Sequence, residues 1–199
     1  VSAVDLRPRS YRVVLPPQWW AIELDEGSAE KSVAALVRRQ FTGIDDAPLA
    51  RQAVAEYLMQ QVERAREANG IELYLSTFRT GEIVLPASLL ICYSPRPSRE
   101  IPLEDLAEVL AVSEAASSVR SVEVRPLPVG QAIRRLSYWA VVEDPTVEPV
   151  PAINLDWHLP VPAGEGALVT LSFATGLVTL EEPLLGLFDA IASTFEWTW

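Results

Sequence analysis

The sequence predicts an α+β fold in which a single antiparallel sheet is flanked by helices. Segments of period-two alternation come in consecutive pairs joined by short turns, the arrangement that favours antiparallel pairing. Segments of helical period bracket those pairs and supply the layers that cover a sheet. The 199 residues contain no repeat and no long linker. They are therefore expected to form one domain over residues 11–199 behind a flexible N-terminal arm, 1–10.

Tyr11–Leu15 and Trp20–Leu24 read as short strands around Pro16-Pro17-Gln18-Trp19, where two prolines cannot donate ladder bonds. Ser28 is the expected cap of a helix whose Val33, Leu36, Val37 and Phe41 fall at helical spacing. A second helix is expected from Asp46, with Pro48 in its first turn and Val54, Leu58 and Val62 four residues apart. Asn69-Gly70 ends it, with Gly70 suited to a left-handed turn. Ile71, Leu73 and Leu75 then alternate with Glu72, Tyr74 and Ser76, and Arg79–Glu82 turns the chain into a strand over Ile83–Tyr93. After the basic, proline-rich loop Ser94–Arg99, Leu103, Leu106 and Leu110 mark a short helix. Val119–Leu127 and Ala132–Val142 flank the turn Pro128-Val129-Gly130. An acidic, proline-rich loop over Glu143–Pro151 leads to a half-buried strand. In it Ile153, Leu155, Trp157 and Leu159 alternate with Asn154, Asp156 and His158. Pro162–Gly166 turns into the strand Ala167–Thr175. Thr179-x-x-Glu182 then reads as a capping box for a helix with Leu184, Leu187, Phe188, Ile191 and Phe195 on one face.

The charge is distributed unevenly. From Leu136 to Trp199 there are nine carboxylates and no Lys or Arg, whereas residues 1–135 hold all 16 basic residues against 18 acids. An acidic region of this kind repels phosphate backbones and anionic lipid and attracts basic partners. Nucleic-acid binding is not expected, since Arg38-Arg39 and Arg134-Arg135 read as solvated surface pairs rather than a net basic face. No apolar run reaches the roughly 18 residues of a membrane span. Val1–Ser10 lacks the apolar stretch of a signal peptide, and Cys92 is the only cysteine. A cytoplasmic location is the expectation, with Cys92 a buried, inert thiol.

No residue set in the sequence names a reaction. His158 is the only histidine, so a Ser-His-Asp or Cys-His device would have to use it, with Asp156 on the same side of the strand. The plainer reading places both on a polar strand face opposite Trp157. The acid pairs, such as Asp45-Asp46 and Glu181-Glu182, favour capping and solvation over glycoside hydrolysis. No cofactor motif and no third metal ligand is present. Of the six tryptophans, Trp20, Trp139 and Trp157 are expected in the core, while Trp197 and Trp199 lie in a tail where an exposed or partner-covered role is open.

The stretch Ala167–Thr175, continuing through Leu187–Phe195, resembles the closing strand and helix of the PsbP-like α/β sandwich. Leu15-Pro-Pro-Gln-Trp-Trp20 and Gly70-Ile-Glu-Leu-Tyr-Leu-Ser76 also resemble a group of actinobacterial proteins. The resemblance implies binding rather than catalysis, since relatives of this fold include lipoproteins, photosystem accessory subunits and chaperones for secreted bacterial effectors. It offers no catalytic residues, and no lipobox cysteine is present.

The leading expectation is a non-enzymatic protein-binding module: an adaptor, chaperone or immunity-type partner of a secreted bacterial protein. Its partner would be a protein with a basic surface, met by Glu143, Asp144, Glu148, Trp197 and Trp199. No cofactor or metal is expected, and a homodimer is left open. The alternative is a carrier of a small apolar ligand between sheet and helices. A hydrolase using His158 is the third reading.

Overall fold

The computed structural model describes residues 7–44, 46–80, 83–95, 101–112, 118–141 and 150–199. The chain runs β1 (Ser10–Arg12), β2 (Trp19–Ile22), α1 (Ala29–Gln40), α2 (Pro48–Glu67), β3 (Gly70–Ser76), β4 (Arg79–Thr80) and β5 (Ile83–Val84). It continues through β6 (Ala87–Ser94), α3 (Leu103–Val112), β7 (Ser118–Leu127), β8 (Gly130–Val141) and β9 (Val150–Pro160). β10 (Leu168–Thr175), a 3-10 turn (Val178–Leu180), α4 (Glu181–Ser193) and β11 (Glu196–Thr198) complete it.

Seven strands form one sheet in the order β2-β3-β6-β10-β9-β8-β7. Every neighbouring pair is antiparallel, as the paired alternation requires. The class is therefore α+β. Strand alternation divides the side chains between two faces. On one face Val169, Leu171 and Phe173 of β10 align with Leu159, Trp157 and Leu155 of β9 and pack beneath α4. Phe188 of α4 stacks on Phe173 at 4.8 Å between ring centroids. On the other face the cover is split. α1 and α2 close over β2, β3 and β6 through Leu36, Leu58, Val62 and Leu73. α3 closes over β7 and β8 through Leu106, Ile133, Val122 and Val124.

Several expectations are corrected. The first two strands do not pair with each other. β1 instead pairs with β11 in a separate two-stranded ladder, Tyr11 opposite Trp197, so the tail is a strand and the sheet is not the only one. Ser10, assigned to the arm, opens β1, and Arg9 N–H donates to Thr198 O at 2.8 Å. The expected strand 83–93 is divided into β5, paired with β4, and the longer β6. Ser28 precedes α1 without a side-chain capping bond. Thr179 lies in the 3-10 turn rather than at a cap, and α4 begins at Glu181. α2 begins at Pro48, whose fixed φ suits a first helical position.

The left-handed residue after α2 is Asn69, φ 54°, not Gly70. Gly70 is required for a different reason. A Cβ there would sit 2.6 Å from Ala65 O and 2.7 Å from Leu90 Cδ1, so only a glycine lets β3 start this close to the end of α2.

Candidate functional site

Because the helical cover on the second face is split, a cleft opens between α2 and the central strands. Its helical wall is Tyr57, Leu58, Gln61, Arg64 and Ala65. Its floor comes from Leu73 and Leu75 on β3, Ser88 and Leu90 on β6, and Ser172 and Ala174 on β10, with Trp139 of β8 at the margin. The volume is about 540 Å³. Its physical origin is side-chain size. In register, Ser88 stands opposite Ala174 and Leu90 opposite Ser172, so residues one to three heavy atoms long occupy the middle of the sheet where α2 arches over it. The same strand puts Leu171 and Phe173 on the opposite, filled face.

Farther along this face the strands turn polar, with Asn154, Asp156 and His158 on β9 and Thr170 and Ser172 beside them on β10. Asp156 is buried and committed: Arg135 donates to it at 3.2 Å and Asn154 at 2.7 Å. His158 Nδ1 lies 3.0 Å from Thr170 Oγ1. Cys92 shares this face, but Thr170 stands between it and His158 in register, which puts the two backbones two strand spacings, about 10 Å, apart. Burial, reinforced by the nearby Asp156 carboxylate, pushes the Cys92 thiol up to about 11, so it is protonated at neutral pH. Among the described residues no group of three His, Cys, Asp or Glu converges as a metal site. The arrangement offers shape, apolar surface and neutral hydrogen-bonding groups. Cys92 is not next to His158, and the hydroxyl that is, Thr170 Oγ1, pairs with the imidazole between two adjacent strands.

The expected docking residues are not assembled by the described structure. Glu143, Asp144 and Glu148 lie outside the described residues. Trp197 is half-buried on β11, edge-on to Phe195 at 4.8 Å. Trp199 is 62% exposed. Trp157 is buried as expected, and its Nε1–H donates to Asp189 at 3.0 Å. Trp20 is half-buried with the Arg39 guanidinium 5.2 Å from its ring centroid. Trp139 is not a core anchor: it is 39% exposed, at the cleft.

The arginine reading is overturned for one pair. Arg134 and Arg135 are not surface residues. As neighbours on a central strand they point to opposite faces, and each meets a carboxylate, Asp189 of α4 on one side and Asp156 of β9 on the other. Ion pairs also join Arg7 to Glu165, Arg12 to Glu196 and Arg120 to Glu181. Five of the nine carboxylates of the last third are therefore matched by arginines from the first two-thirds. Much of the expected acidic region is neutralised within the fold.

Sequence reasoning missed Tyr57, Gln61, Arg64 and Ser172. A signal was present: Tyr57, Gln61 and Arg64 recur on successive turns at one margin of the α2 stripe, and small residues alternate with large ones along β10.

No protein-family model matches the chain, and no curated protein matches it. Among solved structures, the chain is similar to the solution structure of cyanobacterial PsbP (CyanoP) from Synechocystis sp. PCC 6803. The two share 12% sequence identity with a TM-score of 0.47, over 94% of this chain and 86% of that one. The α+β class rests on the sheet order and the helical layers themselves. No helix among the described residues is long and apolar enough to cross a membrane.

Proposed function

We propose that the chain is a non-enzymatic binding module that holds a small, largely apolar ligand in the cleft between α2 and the central strands. The observation that carries this reading is the cleft itself. Its volume of about 540 Å³ falls within the roughly 300–1,000 Å³ typical of small-molecule sites. Leucines make up much of its lining, and a few polar groups, Gln61, Ser88 and Ser172, converge on it. Tyr57 and Trp139 stay exposed at its margin, where a bound molecule would cover them. The protonated thiol of Cys92 and the engaged carboxylate of Asp156 support binding over catalysis. The single cysteine supports a reducing, cytoplasmic setting.

The test is to fill the cleft from its floor. Ser172→Phe should abolish saturable binding of an apolar fluorophore such as 1-anilinonaphthalene-8-sulfonate, read as enhanced emission, while the melting temperature stays near that of the wild type. Ala174→Leu provides the same test if the first variant misfolds. No saturable binding by the wild type, or undiminished binding by folded filled variants, would overturn the reading.

A second reading is docking of a basic protein partner through Glu143, Asp144, Glu148, Trp197 and Trp199. One observation favours it, the exposure of Trp199 at the end of β11. A partner whose affinity is unchanged by Trp199→Ala would remove that support.

A further inference from the structure

The geometry points to a ligand with one anionic group at the end of an apolar body, held at its charged end by Arg64. This inference rests on the cleft being a binding site and names the class of ligand it selects. Tyr57, Gln61 and Arg64 follow one another along the same edge of α2. Seven residues separate the first from the last, about 10 Å at about 1.5 Å per residue. The cleft is therefore polarised along the helix. Aromatic surface from Tyr57 and Trp139 marks one end, Leu73 and Leu75 give an apolar floor, and a guanidinium stands at the other end.

Arg64 differs from most arginines of this protein. Arg12, Arg66, Arg120, Arg125, Arg134 and Arg135 are in ion pairs, and Arg39 and Arg51 stack on aromatic rings. The Arg64 side chain has neither kind of partner among the described residues, and Arg9 and Arg38, which share that condition, do not line the cleft. Among the described residues no acidic side chain lines the cleft either. An unmatched guanidinium beside apolar surface favours a carboxylate or similar oxyanion, to which it can donate two parallel hydrogen bonds. Arg64 lies in the last turn of α2, where a cation also offsets the carbonyl end of the helix. A headgroup there meets those carbonyls as well, so preference for an anion depends on the Arg64 charge.

Three probes of equal length separate charge from shape: octanoate, 1-octanol and octylammonium. Each is titrated into the full chain and followed by the NMR shift of the Trp139 indole N–H. Octanoate should bind about tenfold or more tightly than octanol, as expected for a charge-assisted hydrogen bond, and octylammonium weakest. Arg64→Gln should erase the advantage of octanoate and leave octanol unchanged, whereas Arg64→Lys should retain part of it. A purely structural Arg64 would change stability in both variants without altering the order of the probes. Equal binding of octanoate and octanol by the wild type, or a preference that survives Arg64→Gln, overturns the anionic class and leaves the cleft reading intact. If none of the three moves the Trp139 signal, the cleft reading fails and this inference with it.

Discussion

Asp189→Ala tests whether α4 is held to the sheet by a buried ion pair as well as by apolar contact. Asp189 accepts from Arg134 Nε at 2.9 Å and Nη2 at 3.1 Å, and from Trp157 Nε1 at 3.0 Å. The substitution removes all three acceptor contacts. It also leaves the Arg134 guanidinium, whose side chain is 8% exposed, without a counter-charge. Breaking a buried pair from one side costs about 3–5 kcal/mol, chiefly because the remaining charge is stranded. The Asp189 side chain is 33% exposed, so water reaches part of the site and the loss should lie near the lower bound, about 3 kcal/mol. A domain with about 5–15 kcal/mol of stability survives that loss as a folded protein. Urea unfolding followed by far-ultraviolet circular dichroism measures it. The double variant Arg134→Met/Asp189→Leu is the control, because it removes both charges and preserves volume, and it should recover most of the loss. A cost below about 1 kcal/mol for Asp189→Ala, the value of a solvated pair, would refute the reasoning. So would a double variant no better than the single one.

Gly70→Ala should destabilise by about 1–3 kcal/mol, since the new methyl meets the backbone oxygen of Ala65, which cannot swing away as a side chain could. A neutral or stabilised variant in the same urea assay would show that β3 and α2 separate at little cost. The Cys92 thiol, raised from its ordinary 9.0 to about 11, should react slowly with iodoacetamide at pH 8 and faster as pH approaches 11. Between about pH 9 and 11 the native state keeps a proton that the unfolded chain has released, so this group lowers stability as pH rises through that window. Full alkylation of the native protein at pH 8, at the rate of an unfolded control, would contradict the raised pKa of Cys92, which is half-buried rather than buried as its apolar run suggested.

The elements were legible wherever periodicity reports burial directly. Val33, Leu36 and Val37 face the core of α1 as their spacing predicts, and the alternation along β10 places Leu171 and Phe173 beneath α4. The partners of the terminal strands were not legible. β1 and β11 lie at opposite ends of the chain, and nothing local to Tyr11 or Trp197 signals that each is the other's neighbour. Local rules also misled where another contact answered the same need. Gly70 follows a helix and invites a left-handed assignment, but Asn69 takes that conformation and Gly70 serves close approach. The cleft was hidden for a related reason. A cavity is defined by what small residues on two or three strands leave unfilled, and Ser88, Ser172 and Ala174 become a group only through sheet register.

The uneven charge of the sequence has a structural consequence that bears on function. Read along the chain, nine carboxylates without a cation look like an acidic surface. In the fold, Glu165, Glu181, Asp189, Asp156 and Glu196 meet Arg7, Arg120, Arg134, Arg135 and Arg12, respectively. The exposed pairs among these, such as Arg12 with Glu196, stabilise little individually, because water screens them and long side chains lose entropy in holding one geometry. Their larger effect is on the field. A carboxylate with a guanidinium at about 3 Å looks nearly neutral from a Debye length away, about 10 Å at 0.1 M salt. Within the last third, Glu182 is the described carboxylate outside these pairs, while Glu143, Asp144 and Glu148 lie outside the described residues. The same matching leaves Arg64 conspicuous, as the one cation of the cleft among the described residues, in a chain where many arginines have partners. These five pairs join the first two-thirds of the chain to the last. In the cleft beside α2 the charge of Arg64 is left without such a partner.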